Sequence, residues 1–328
     1  MEEPEFSCTI LSKLNLCDIE KVVKEAYHKE NSPGRPPRKP MGIFKALIVK
    51  RLQQIPSERE ICRRLWKDEN LRELCDIEAE ENPYHPSQLS RFKKRVGNRR
   101  LQRIMDKLLK ELLRGGVISG ETVDSDATFV AAYSRRDPHD NSRGKSDPEA
   151  RVGRDGKTYG LGYKLHIITD AKSELPLAVI AAPANDNEKK HAPALFRRAW
   201  KVSEHRIKTF IADSQYSSRK LRDRLSACGV NAVVPYPANQ KKEEAAGGQV
   251  LQNHGPSLEK QLYRQRSGVE RVNSRQKEQL CLERHRARGL KRVTTHALLF
   301  MIAMLLNGVV ALRLGRPEKA RSITMLAR

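Results

Sequence analysis

The chain has 328 residues, 63 of them Lys or Arg against 40 Asp or Glu, for a formal charge of +23. That length carries one large or two modest domains, and the positive excess points to a polyanionic partner, most simply nucleic acid. Six scattered cysteines (Cys8, Cys17, Cys62, Cys75, Cys228 and Cys281) form no C-x-x-C pair, which speaks against a zinc knuckle or disulfide framework and for reduced cytosolic thiols. The start Met1-Glu2-Glu3 lacks the apolar core of a signal peptide.

Residues 1 to about 30 read as weakly helical and lead into the Pro-rich arm Asn31 to Pro40, where Arg35, Arg38 and Lys39 suit either a solvated linker or a phosphate backbone. From Met41 to about Gly115 the text is helical. Ile43, Leu47, Ile48 and Leu52 recur at helix spacing, and Ser57 with Glu60 matches a capping box. In Ser87 to Val96 an apolar stripe of Leu89, Phe92 and Val96 runs beside Arg91, Lys93, Lys94 and Arg95. A further helix is expected over Leu101 to Leu113. These helices fit a DNA-reading helix-turn-helix or a bundle with a charged outer face.

Past Gly115-Gly116 the pattern becomes strand-like. Alternation over Val117 to Ala132 puts Asp124, Asp126 and Thr128 on one face. Tyr133 to Lys157 is polar, has no apolar period and is expected to be a flexible loop. Strands are expected over Tyr159 to Asp170, Glu174 to Ala182, Ile207 to Asp213 and Ala232 to Pro235. Helices are expected over Asn187 to Val202 and Arg219 to Leu225. His166 reads as a packed sheet residue. Asp213 stands at a strand's C-terminal end, where α/β folds place functional groups, although a helix cap there is the plain alternative. This order of elements is that of a ribonuclease-H-like α/β domain behind an all-helical N-terminal domain.

The stretch Tyr263 to Lys277 holds one carboxylate, Glu270, among Tyr263, Arg266 and Lys277. On an uninterrupted helix all four share one narrow polar face, since each residue advances about 100°. Such a face suits a metal-binding acid beside phosphates, or a solvated face in a basic protein. The basic run Arg284 to Arg292 then leads to Leu298 to Leu312, which is apolar but shorter than the ~20 residues of a membrane span and reads as a buried helix.

The spacing Y-x2-R-x3-E-x6-K resembles the signature of bacterial insertion-sequence DDE transposases. D-A-T-F-V around Asp126 and A-D-S-Q-Y around Asp213 are similar to that family's two aspartate motifs, with Gln215 where the family has glycine. Ser87 to Phe92 resembles its N-terminal helical domain. The resemblance covers roughly Pro40 to Leu312. It implies a transposase that cleaves DNA and transfers strands at the ends of an insertion sequence, with a nuclease lacking strand transfer, or an inactive DNA-binding descendant, as the other readings.

By the same resemblance Asp126, Asp213 and Glu270 are the catalytic, metal-binding acids, with Asp124 the fallback for the first. Two Mg²⁺ ions are implied, Mn²⁺ substituting. Tyr263, Arg266 and Lys277 are expected to contact DNA at the scissile bond, and Arg91, Lys93, Lys94 and Arg95 to contact the terminal repeat. The expected partners are double-stranded DNA, as terminal inverted repeats and as target, and a second copy of the chain in a homodimer. No membrane is expected, and the location is the bacterial cytoplasm, on the nucleoid. Expected boundaries are 1–40 for the arm, 41–116 for DNA-end binding, 117–315 for the catalytic domain and 316–328 for a basic tail.

Overall fold

Helical periodicity and strand alternation separate into two units in the computed structural model, which describes residues 16–27, 38–236, 262–263 and 266–322. Most of the Pro-rich arm, residues 237–261 and the last six residues lie outside the described residues.

The first unit comprises residues 1–117, 275–287 and 291–328. Its helices are α1 (Cys17–Lys24), α2 (Pro40–Leu52), α3 (Glu58–Arg64), α4 (Glu69–Leu74) and α5 (Pro86–Arg114). The C-terminal helix α9 (Leu290–Arg313) contributes all but its first residue to the same unit. Pro40 stands in the first turn of α2, where a missing N–H costs nothing. Ser57 caps α3 by accepting from the Glu60 N–H at 3.1 Å, and Asp68 does the same for α4 with Leu71 at 2.9 Å.

Helix α9 is long and apolar enough to cross a membrane by composition, with mean hydropathy 2.0, yet 94% of that window is buried inside the protein. It is a core helix, as the buried reading of Leu298 to Leu312 expects. The sequence reading had put it in the 117–315 domain, but it clusters with the N-terminal helices. Leu47, Ile48, Leu108, Leu112, Phe300 and Leu305 are buried there. The buried Arg51 guanidinium lies 5.1 Å from the Phe300 ring centre and donates to the Leu47 carbonyl.

The two helices expected over 87–113 run as one element with a break at Gly97, whose φ of 70° and ψ of 166° are essentially closed to residues with a Cβ. Nothing lies within 4 Å of where that Cβ would sit, so the constraint is purely backbone. Gly97→Ala is therefore expected to cost about 1–3 kcal/mol, read from the urea unfolding midpoint.

The second unit comprises residues 118–274 and 288–290 and is built on an eight-stranded sheet. Its core strands are β1 (Thr122–Ala131), β5 (Thr158–Asp170), β6 (Pro176–Pro183), β7 (Thr209–Ala212) and β8 (Asn231–Val233). They lie side by side as β6-β5-β1-β7-β8. The β6-β5-β1 meander is antiparallel, while β1-β7 and β7-β8 are parallel. Helices α6 (Glu188–Val202) and α7 (Arg219–Ala227) make the connections into β7 and β8. This antiparallel meander followed by two parallel strands is the ribonuclease-H-like sheet.

Residues 133–157 are not the irregular loop expected. They form β2 (Arg136–Asp137), β3 (Asp140–Gly144) and β4 (Arg151–Asp155), which extend the sheet along the N-terminal part of β5. Polar residues on both faces hid their alternation. The tight turn through Asp155-Gly156, with Gly156 at φ 58°, was the legible hairpin signal.

Candidate functional site

Strand pairing does the first positioning. Ser125 on β1 is level with Ala212 on β7, and the two strands are parallel. Asp126 and Asp213, one residue further along each, therefore leave adjacent strands ~4.8 Å apart at the same level. Asp213 turns directly into the 3-10 turn Ser214–Tyr216 and accepts from the Gln215 N–H at 3.0 Å. Gln215, standing where the resembled motif has glycine, keeps a negative φ, so this turn does not require glycine.

The signature stretch is not one continuous helix. It contains α8 (Ser267–Ser274) and then a π-helical turn, Arg275–Gln279, which carries Lys277. A π turn holds more than 3.6 residues, so the single face projected for all four signature residues is not kept. Lys277 belongs to the first unit by its contacts and pairs with Glu283 at 3.1 Å. Tyr263 and Arg266 remain together, the Arg266 guanidinium 5.7 Å from the Tyr263 ring centre.

Helix α8 is fixed to the sheet by a residue the sequence reading held in reserve. Asp124 is fully buried on β1, and its carboxyl accepts from the Thr169 hydroxyl on β5 and, at 2.9 Å, from the Val269 N–H in the first turn of α8. A Cβ on Gly268 would sit 2.9 Å from the same carboxyl, which explains glycine in S-G-V-E. Burial pushes the Asp124 carboxyl up to about 7, against the pull of both hydrogen bonds. Asp124 thus holds the helix that carries Glu270, and Asp126 lies two residues along the same strand face.

From that anchor, Arg266, Glu270 and Asn273 follow at i, i+4 and i+7, a helical stripe. Arg266 pairs with Glu270 at 2.7 Å, and Asn273 donates to Asp126 at 3.0 Å. Neither Asn273 nor Gly268 was singled out from sequence, although the stripe was there to be read. Burial pushes Asp126 up to about 6, with Arg266 pulling it back and Asp213 and Glu270 pushing it further. Asp213 is also raised by burial, with Arg266 again opposing and Glu188 adding to the rise. One guanidinium therefore lies in the field of all three acids. Among the described residues no three His, Cys, Asp or Glu side chains gather closely enough to hold a metal ion, and Glu270 is turned toward Arg266.

Behind the acids, His166 is buried, stacked on His191 with ring centres 4.9 Å apart, and its Nδ1 lies 3.3 Å from the Tyr216 hydroxyl. It is a packed sheet residue, and burial pushes it down to about 3. The Ser87–Val96 cations divide. Arg91, Lys94 and Arg95 are exposed, Arg95 over the Tyr27 ring, while Lys93 is half-buried in an ion pair with Glu58.

An α/β sheet with aspartates on its first and fourth core strands and a glutamate on a late helix defines the ribonuclease-H-like class. Within that class, the family model for the transposase DDE domain matches residues 119–306, more than half the chain, and that for the transposase domain (DUF772) matches residues 3–95. The chain belongs to the transposase DDE-domain family and is a transposase that cleaves DNA and transfers strands. Transposases of this kind use divalent metal ions. No curated protein matches the chain. Among solved structures it is similar to a piggyBac transposase synaptic complex with hairpin DNA, at 11% identity and TM-score 0.47, covering 98% of this chain and 79% of that one. A Mos1 transposase paired-end complex with the left transposon end is similar at 13% identity and TM-score 0.24, covering 78% and 82%.

Two outcomes test this description. Asp124→Ala strands a buried N–H and a hydroxyl and should cost about 1–3 kcal/mol in urea unfolding. Asp124→Asn, which keeps an acceptor and shape, should cost less. The His166 ring stays neutral in the folded chain down to about pH 3, whereas an unfolded histidine takes its proton near pH 6.5. The unfolded state then binds the extra proton between those values, so the His166 contribution to stability falls as pH drops through that window and is constant above it, opposite in sign to that of the raised Asp124 and Asp126 carboxyls. His166→Phe should remove this loss, so that the urea midpoint of the variant gains on that of the unaltered protein as pH falls below 6.5.

Proposed function

We propose that Asp126, Asp213 and Glu270 are the catalytic acids of this transposase, acting on double-stranded DNA at the terminal inverted repeats of its element and on target DNA. The observation that carries the reading is the shared field of Arg266, which opposes the rise of both aspartates and pairs with Glu270. Asp126 and Asp213 are partly desolvated, and Asp213 and Glu270 both raise Asp126, so a cation would relieve them, and an all-oxygen set of this kind suits Mg²⁺ or Mn²⁺. Asp126, Asp213 and Glu270 would hold two Mg²⁺ ions, with Mn²⁺ substituting. Such ions supply a strongly nucleophilic oxygen at neutral pH and charge relief for the leaving oxygen.

The chain's own groups do the rest. Asn273 fixes the Asp126 carboxyl, and Asp124 fixes the helix that carries Glu270. Arg266 is the guanidinium that holds a scissile phosphate through its planar fork, exchanging Glu270 for the DNA as the acids turn to their cations. Lys277 serves phosphate as a point charge, and Tyr263 hydrogen-bonds phosphate or stacks on an unpaired base. Residues 41–116 bind the terminal repeat, with Arg91, Lys94 and Arg95 on its exposed side and Lys93 released from Glu58. The sheet unit, residues 118–274 and 288–290, carries the chemistry, joined through a homodimer that pairs the two ends on the bacterial nucleoid.

Glu270→Gln removes the charge that holds a cation but keeps the side chain's size. It is expected to abolish Mg²⁺-dependent cleavage while end-DNA binding persists. Lys277→Ala should instead weaken binding and lower the slope of log K against log salt by about one. Both are measured by anisotropy and gel cleavage over a salt series. Cleavage retained by Glu270→Gln would remove Glu270 from the acid set.

A further inference from the structure

Among the described residues Tyr159 is one of four large apolar side chains left in solvent, 69% exposed, and it stands near the start of β5, beside the ribbon β2–β4. Its cross-strand partner is Arg154 on β4. The Arg154 guanidinium lends its Nε to the Gly156 carbonyl across the turn, and Arg136 on β2 donates to the Tyr159 carbonyl at 3.2 Å. Both arginines are exposed, as is Lys157 in the turn beside them. The neighbouring acids are turned elsewhere. Asp155 follows Arg154 on the strand and so takes the opposite face, and Asp137 is paired with Arg143 at 3.2 Å. An exposed aromatic side chain, with one arginine as its cross-strand partner and another bound to its backbone carbonyl, therefore stands among exposed positive charge.

The sheet register says which way this cluster faces. Asp126 is paired with Ile167 on β5, and paired residues share a face. Successive odd-numbered residues of β5 keep that face through an uninterrupted register back to Leu161 and Tyr159. Tyr159, Arg154 and Asp126 therefore belong to one side of the same sheet. Eight residues separate Tyr159 from Ile167, about 26 Å of strand at ~3.3 Å per residue. That is the length of about eight base pairs at ~3.4 Å each.

We infer that Arg136, Arg154 and Tyr159 form a DNA-backbone contact on the catalytic face, which holds the duplex about eight base pairs from the scissile phosphate. The occupant is duplex DNA because the patch offers flat guanidinium forks and an aromatic ring with no acid among them, the chemistry that phosphate and sugar take up. The inference rests on the proposed acid set for the position of the scissile bond. It adds a second grip on the sheet unit, separate from the N-terminal helices. Such a contact positions without reading sequence.

The test uses the full chain with an Arg136→Ala, Arg154→Ala double variant, a lysine-for-arginine version of the same pair, Tyr159→Ala, and an Arg206→Ala, Lys208→Ala pair as charge-matched control. Affinity is followed by anisotropy from low to physiological salt on an element-end duplex with its flank and on an unrelated duplex. Hydroxyl-radical footprints are taken on the first. The alanine pair should lower the salt slope by about two and lose protection about eight base pairs from the cleavage position. The lysine pair should restore the slope, and the control should leave the footprint intact. Loss on the end duplex alone assigns the patch to the element's flank, and loss on both duplexes to any DNA crossing the sheet. An unchanged slope and footprint would overturn the inference, as would a change in sedimentation without a change in binding, which would make the patch a protein contact. Cleavage retained by Glu270→Gln would sink the acid assignment and leave this footprint standing, so the two failures are distinct.

Discussion

Asp124 joins three elements through one buried carboxyl: its own strand, the Thr169 hydroxyl on the neighbouring strand, and the Val269 N–H that opens α8. An unpaired N–H in that place would cost about 1–3 kcal/mol, so the helix has one seat on the sheet and little freedom to slide. Everything that follows along the helix inherits that seat. Asn273 reaches Asp126 because it lies one turn beyond Val269, and Glu270 is carried to the side where Arg266 waits. The raised proton affinity of Asp124 fits this duty, since a carboxyl that is neutral through much of the acidic range is less costly to bury.

The acids themselves obey the opposite logic. Asp126 and Asp213 sit just past the last parallel pair, Ser125 with Ala212, a position chosen by register and not by local burial preference. Their mutual repulsion and desolvation are a standing cost, relieved in part by one guanidinium. Perturbed carboxyls of this kind commonly cluster at functional sites. Arg266 thus compensates the acids in the free protein.

Much of this was legible in the chain. The alternation that put Asp124, Asp126 and Thr128 on one face, the strand ending at Asp213, the Ser57 cap and the buried reading of Leu298 to Leu312 all rest on local signals, and local signals decide local structure. What local signals missed has a physical cause in each instance. The ribbon β2–β4 alternates polar against polar, so its period leaves no hydrophobic trace. The π turn at Arg275 depends on a backbone bond pattern that no propensity scale records. Asp124's role depends on Val269, 145 residues away, and Gly268 becomes meaningful only once that carboxyl is seated against it. Lys93 looked as free as its neighbours, but an acid 35 residues earlier holds it.

The helical unit draws on both ends of the chain, residues 1–117 and 291–328, with the whole sheet unit encoded between them. During synthesis the first five helices therefore emerge long before the apolar helix that completes their core. The sheet unit, apart from its last short piece, is finished while Leu298 to Val310 is still unmade. At the ~5–20 residues per second of translation, the early helices wait on the order of ten to forty seconds with an uncovered apolar face. This interval favours folding of the sheet first and makes the nascent helical unit the natural client of chaperones. A fragment ended near Gly116 lacks that same covering helix and is a poor stand-in for the helical unit. A permuted chain that begins with the sheet and ends with the early helices fused after α9 would close the same core without the delay.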